Sequence, residues 1–170
     1  YLDRLWFGEY FNYAFPPEFW LVEVSGIPYG LMGEMLEGGG NPWRGMLYGM
    51  TGRSPRVDNG PLWKLWDSFG MQNSEMIGYW VKDNPVKTGS EKTLATVYSH
   101  MGDKALISLA TWEDTDAKVK LSIDWAKLGL DPSKVTLHAP AIENFQQETT
   151  WKPGDEIVVP KGKGLLIIAK

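Results

Sequence analysis

Two apolar runs near the start of the chain end on the same dipeptide. Leu5-Trp6-Phe7-Gly8-Glu9 stops at Gly-Glu, and so does Tyr29-Gly30-Leu31-Met32-Gly33-Glu34. The stretch between them, Pro16 to Gly26, reads as a helix: Pro17 suits its first turn, Gly26 suits its end, and Pro28 lies just beyond. Strand (3–9), helix, strand (29–36) is the pattern of a βαβ unit with parallel strands. Such a unit cannot bury both faces of its own sheet. The economical expectation is that it forms the last two βα units of a (β/α)8 barrel, a fold of ~250 residues. The rest of that barrel would come from the same polypeptide or from another chain covering the strands, and a chain that opens on strand-like sequence at Tyr1 reads as a piece of a longer protein. Ligands bind at the C-terminal ends of parallel strands, so Glu9 and Glu34 are expected on one rim.

The texture changes after about Asn73. Strand-like runs recur at 76–82, 94–99, 104–111, 118–123, 135–138, 156–159 and 164–169, separated by turn signals such as Gly102-Asp103, Lys152-Pro153-Gly154-Asp155 and Pro160 to Gly164. Six or seven short strands in this space predict an antiparallel β-sandwich. The expected division is a barrel end at 1–73 and a sandwich at 74–170. Leu106, Ile107 or Leu109, Leu121, Ile123, Val158, Leu166 and Ile168 are its expected inner face. Between the two parts, Gly38-Gly39-Gly40 is a loop, Trp43 to Thr51 has helical character, and Pro61 to Phe69 carries an apolar helical stripe at Leu62, Leu65, Trp66 and Phe69. Trp63 and Trp66 are expected in the core, Trp80 and Trp112 packed in the sandwich, and His100 in a solvated turn.

Charge narrows the partners. Residues 1–75 hold five Lys or Arg against nine Asp or Glu, and the remainder is balanced at twelve each. With no basic stripe for a phosphate backbone, nucleic acid is a poor partner. No apolar run is long enough to span a bilayer. With no Cys and two separated His, no metal site or cofactor is expected, and the acids at Glu113, Asp114 and Asp116 read as a solvated turn. Acid and aromatic residues without base suit a neutral polyhydroxylated ligand: carboxylates accept hydroxyl hydrogen bonds, and flat rings cover the apolar faces of pyranoses.

Leu5-Trp6-Phe7-Gly8-Glu9, Trp20 to Gly30, and above all Gly33-Glu34-Met35-Leu36-Glu37-Gly38-Gly39-Gly40-Asn41-Pro42-Trp43-Arg44 resemble the C-terminal part of a family of large bacterial glycoside-hydrolase-like proteins. That family is domain of unknown function 6067, related to glycoside hydrolase family 123. Ile77-Gly78-Tyr79-Trp80, Ile123-Asp124-Trp125 and Leu128-Gly129-Leu130 fit as well. The resemblance implies a barrel followed by a sandwich, a carbohydrate substrate, and a periplasmic or secreted setting. The expected function is the C-terminal portion of a glycoside hydrolase acting on a polysaccharide or glycan, inactive as an isolated piece. The alternative is a non-catalytic carbohydrate-binding or structural accessory module, which a row of exposed aromatics on the sandwich would mark.

Glu9 and Glu34 are the candidate catalytic pair, because a glycosidase flanks the scissile bond with two carboxylates and neighbouring barrel strand ends lie roughly 5–10 Å apart. The plainer reading is that they bind hydroxyls or hold loops. Tyr10, Asn12 and Tyr13 follow Glu9 and are candidate substrate-binding groups, or loop packing. Trp43 and Arg44 follow the Gly-rich loop, where Arg44 either meets an anionic sugar at a helix start or pairs locally with Glu37.

Overall fold

The computed structural model describes residues 11–31, 33–35, 37–53 and 57–170. The expected strand 3–9, with Glu9, and Tyr10 lie outside that set.

A hairpin of two eight-residue strands organises the molecule. β3 (Thr93–His100) and β4 (Lys104–Thr111) pair antiparallel along their whole length across a turn at Met101-Gly102-Asp103, with Gly102 left-handed at φ 76°. β10 (Gly164–Ala169) adds to the other edge of β4. β1 (Glu75–Ile77) pairs with β3, β7 (Leu137–Ala139) with β10 and β8 (Thr149–Trp151) with β7, giving a six-stranded sheet in the order β1-β3-β4-β10-β7-β8. Two short ladders form a second layer: β2 (Val86–Lys87) with β6 (Ser122–Ile123), and β5 (Ala117–Lys120) with β9 (Glu156–Val159). Ala95, Val97, Ile107, Leu109 and Ile167 of the large sheet meet Val119, Leu121, Ile157 and Val159 in one dry core. This is consistent with the antiparallel sandwich expected.

The expected inner face needs correction at four positions. Side chains alternate across a strand, so Leu106, Leu166 and Ile168 point away from the sandwich core. They pack instead on Met46, Leu62, Leu65 and Phe69, because helices cover the sheet's second face. Val158 is 44 % exposed between buried Ile157 and Val159. Both faces of the central strands are therefore apolar, which hides the period-2 signal.

The covering helices are α2 (Pro42–Met46) and α3 (Gly60–Phe69), and the latter ends at left-handed Gly70. Leu62, Leu65 and Phe69 face the sheet, and Trp66 donates its indole N–H to Met46 Sδ at 3.2 Å. Trp63 is not core: it sits on the outer side of α3 at 49 % exposure. His100 is not a solvated turn residue either, since its ring packs on Phe69 at 5.0 Å. Tyr98 and Thr96 reach from the sheet to the end of α2, donating to the carbonyls of Met46 (2.6 Å) and Leu47 (2.8 Å).

The N-terminal segment departs furthest from expectation. The helix is present, as α1 (Pro17–Phe19) running into a wide turn at Trp20–Val24, where Ser25 N–H bonds the Trp20 carbonyl. The expected strand 29–36 is not formed among the described residues. Gly26 and Gly30 adopt left-handed conformations around a tight turn at Ile27–Tyr29, and extended pairing is reduced to one parallel bridge, Met35 with Gly52. Gly30 is the reason: it redirects the chain where a strand needs continuous extended backbone.

Candidate functional site

Glu34 follows Gly33, and Gly33 is small because the chain passes close behind it. Its N–H donates to the Ser25 carbonyl at 2.7 Å, and a Cβ there would lie 1.9 Å from the Val24 carbonyl oxygen. The glycine of this Gly-Glu pair thus admits a neighbouring loop. The Glu34 side chain is 14 % exposed and accepts from Arg53 Nη1 at 2.6 Å. Arg53 also donates its backbone N–H to the Met35 carbonyl at 2.7 Å, so the Arg53 backbone and side chain brace the same short segment. Arg53 was not singled out from the sequence. Its one advance signal is that it is among the few cations in an acidic half.

The Gly38-Gly39-Gly40 loop is a tight connection rather than a cradle. All three glycines have positive φ, and a Cβ on Gly40 would stand 2.6 Å from Met35 Sδ. Asn41 then caps α2, accepting from Arg44 N–H at 2.9 Å. Three side chains of this stretch are spent on the sandwich. Asn41 donates to the Gly162 carbonyl at 3.0 Å, Trp43 Nε1 to the Phe145 carbonyl at 3.1 Å, and Arg44 to the Thr111 carbonyl at 3.1 Å. The Trp43 ring packs on Phe145 at 5.3 Å with the Lys163 ammonium over it.

Arg44 is 8 % exposed. Its other Nη donates to the Tyr13 carbonyl, and its guanidinium lies 4.4 Å from the centre of the Trp112 ring. Burial away from water lowers its pKa from the usual arginine value, partly opposed by Tyr48. Its bonds go to the Tyr13 and Thr111 carbonyls, with the Trp112 ring against its face.

Tyr13 and Arg44 are thus brought together through backbone. Asn12 is exposed and uses its side-chain oxygen to accept from Ala14 N–H at 2.9 Å; Tyr13 is half-buried against Trp20. Much of the aromatic content of the N-terminal half is internal. Trp20, Tyr48 and Trp80 stack at 5.9 and 5.7 Å, with Trp112 edge-on to Trp20 at 6.2 Å. The Tyr48 and Tyr79 hydroxyls meet at 3.1 Å and both reach the Pro17 carbonyl.

Depressions on the sandwich include one of about 300 Å³ lined by Tyr79, Val86, Thr88, Glu91 and Leu94. Another of about 630 Å³ runs along Ala141–Glu148 to Lys163, and a third of about 290 Å³ is lined by Phe145, Gln147, Trp151, Val158, Lys163 and Leu165. Among the described residues no cluster of three or more His, Asp or Glu is placed to hold a metal, and no helix is long and apolar enough to cross a membrane.

Comparison with family models gives two matches. The glycoside hydrolase 123 C-terminal domain matches residues 58–170, which span the sandwich and α3, and the glycoside hydrolase 123 TIM-barrel domain matches residues 1–55, which carry Glu34 and the α2 anchor. The chain belongs to the glycoside hydrolase 123 family. Searches of curated proteins and of solved structures returned no match.

Proposed function

We propose that this chain is the C-terminal portion of an enzyme that hydrolyses glycosidic bonds in a polysaccharide or glycan. In this reading residues 1–73 are the C-terminal end of a (β/α)8 barrel with the helices that dock it, and residues 74–170 are the supporting sandwich. The remaining barrel strands come from the rest of the polypeptide or a partner chain, and the isolated chain is inactive without them. Glu34 and Glu9 border the cleft as the two carboxylates that such chemistry needs. Tyr10, Asn12 and Tyr13 bind sugar from the loop after Glu9, Trp43 contributes a ring edge, and Arg44 organises the loop from beneath.

The observation that carries this reading is Glu34 itself. A largely buried carboxylate, braced by Arg53 from a parallel segment and lying within the barrel-domain match, has the fixed orientation that acid–base or nucleophilic work requires. The rival, a carbohydrate-binding module, finds less support. The exposed large aromatics among the described residues are Phe15, Tyr29 and Trp63, none of them on a sandwich strand.

The test is a glycan panel screened with the full polypeptide, followed by Glu34→Gln and Glu9→Gln. A carboxylate acting on the reacting bond loses about 10²-fold or more in turnover. One that only binds hydroxyls loses substrate affinity with turnover largely kept.

A further inference from the structure

Three alternate backbone carbonyls at the start of the described chain are each held by side chains from elsewhere. The Tyr13 carbonyl accepts from Arg44 and from Trp20 Nε1 at 3.3 Å. The Phe15 carbonyl accepts from Trp112 Nε1 at 2.7 Å. The Pro17 carbonyl accepts from the Tyr48 and Tyr79 hydroxyls at 3.1 and 3.0 Å. Trp112 directly follows β4, Tyr79 lies between β1 and β2, and Arg44 is bonded to the last residue of β4, so the grip is anchored in the large sheet.

We infer that the sandwich is a positioning element of the active site, with Arg44 and Trp112 clamping residues 13–17 so that the loop carrying Asn12 and Tyr13, directly downstream of Glu9, is held for catalysis. This rests on the hydrolase reading above. The choice of side chain supports it. An apolar residue of the same volume would fill the Arg44 site with less desolvation cost. The guanidinium instead provides two divergent donors and a flat face. It bonds one carbonyl of the loop and one of the sheet while stacking on the ring that holds the loop two residues further on. Lysine offers no such planar fork. Arg44 and Trp112 are therefore positioning residues, acting through the loop and not on the sugar.

The test uses the full polypeptide with Arg44→Met, Trp112→Phe and, as control, Trp63→Ala. Trp112→Phe keeps a ring under the guanidinium and removes only the indole donor, so it reports even if Arg44→Met folds poorly. Hydrogen exchange is measured at the amides of 12–15 and of 104–111, with kcat and KM on the cleaved glycan. The expected result is exchange at least about tenfold faster in 12–15 with β4 unchanged. Turnover should fall about 10- to 10²-fold, with KM moving less than about threefold. The control should change neither. Unchanged exchange in 12–15 overturns the clamp. Faster exchange with full turnover overturns the positioning role. A wild-type polypeptide that cleaves no glycan overturns the hydrolase reading and the catalytic half of this inference, while exchange still decides whether the clamp exists.

Discussion

Leu106 and Ile107 are adjacent in the chain, both fully buried, and belong to different cores. Leu106 meets Tyr98, Leu166 and the helices; Ile107 meets the second sheet layer. Truncating either leaves a cavity with no solvent to fill it. Leu106→Ala and Ile107→Ala should each cost about 2–5 kcal/mol, and exposed Val158→Ala within about 0.5 kcal/mol, by urea unfolding. A sheet with one wet face would show the large loss at one of the two neighbours only.

The Glu34–Arg53 pair separates stability from function. Arg53 is half-exposed, so removing this pair through Arg53→Gln should cost under about 1 kcal/mol in unfolding free energy. If the pair orients a working carboxylate, the same change in the full polypeptide should lower kcat/KM about tenfold or more. A thermal melt and a steady-state assay on one preparation check both.

Gly40 couples two constraints. Its φ is +71°, and a methyl group there would meet Met35 at 2.6 Å. Strain and overpacking act together, so Gly40→Ala should destabilise by about 3 kcal/mol. Gly38→Ala has the strained backbone but nothing within 4 Å, and should cost about 1–2 kcal/mol. Denaturant midpoints of the two variants give the comparison directly.

Alkaline pH should loosen the aromatic cluster. Burial is the main cause that raises the Tyr79 phenol to about 12, and burial first, then Tyr79, pushes Tyr48 higher still. Both folded-state values exceed the unfolded value of about 10, so the neutral phenols contribute fully below that pH. The Tyr79 contribution is lost as pH rises through about 12, and that of Tyr48 at higher pH. Urea midpoints should therefore fall between about pH 10 and 12, and Tyr79→Phe should flatten that decline.

The parts of this fold legible in the sequence are those governed by local chemistry. The runs 104–111, 156–159 and 164–169 coincide with β4, β9 and β10, because a Gly-Asp turn and Pro-Gly turns punctuate apolar residues. The stripe of α3 and its Gly70 end were equally readable. Strand 29–36 was not, since Tyr29-Gly30-Leu31 looks extended until Gly30 turns left-handed. Arg44 shows a second kind of opacity. Its partners are carbonyls at Tyr13 and Thr111, and a carbonyl has no residue type to read. The same holds for Asn41 on Gly162 and Trp43 on Phe145. These residues were legible as a motif but their partners were not, because donors aimed at sugar and donors aimed at backbone have the same side chains.

The grip on the carbonyls of Tyr13, Phe15 and Pro17 takes hold of atoms that every amino acid possesses. The exposed side chain of Ala14 can therefore be exchanged without removing any of these bonds. The donors lie in the segments around the sheet and α2, not in the loop. If the loop meets sugar as proposed, drift in its side chains retunes which sugar is met while the backbone that presents them stays held. A lineage built this way can diversify its ligands by changing a handful of surface residues, and its invariant positions should be the donors Arg44, Trp112, Tyr48 and Tyr79.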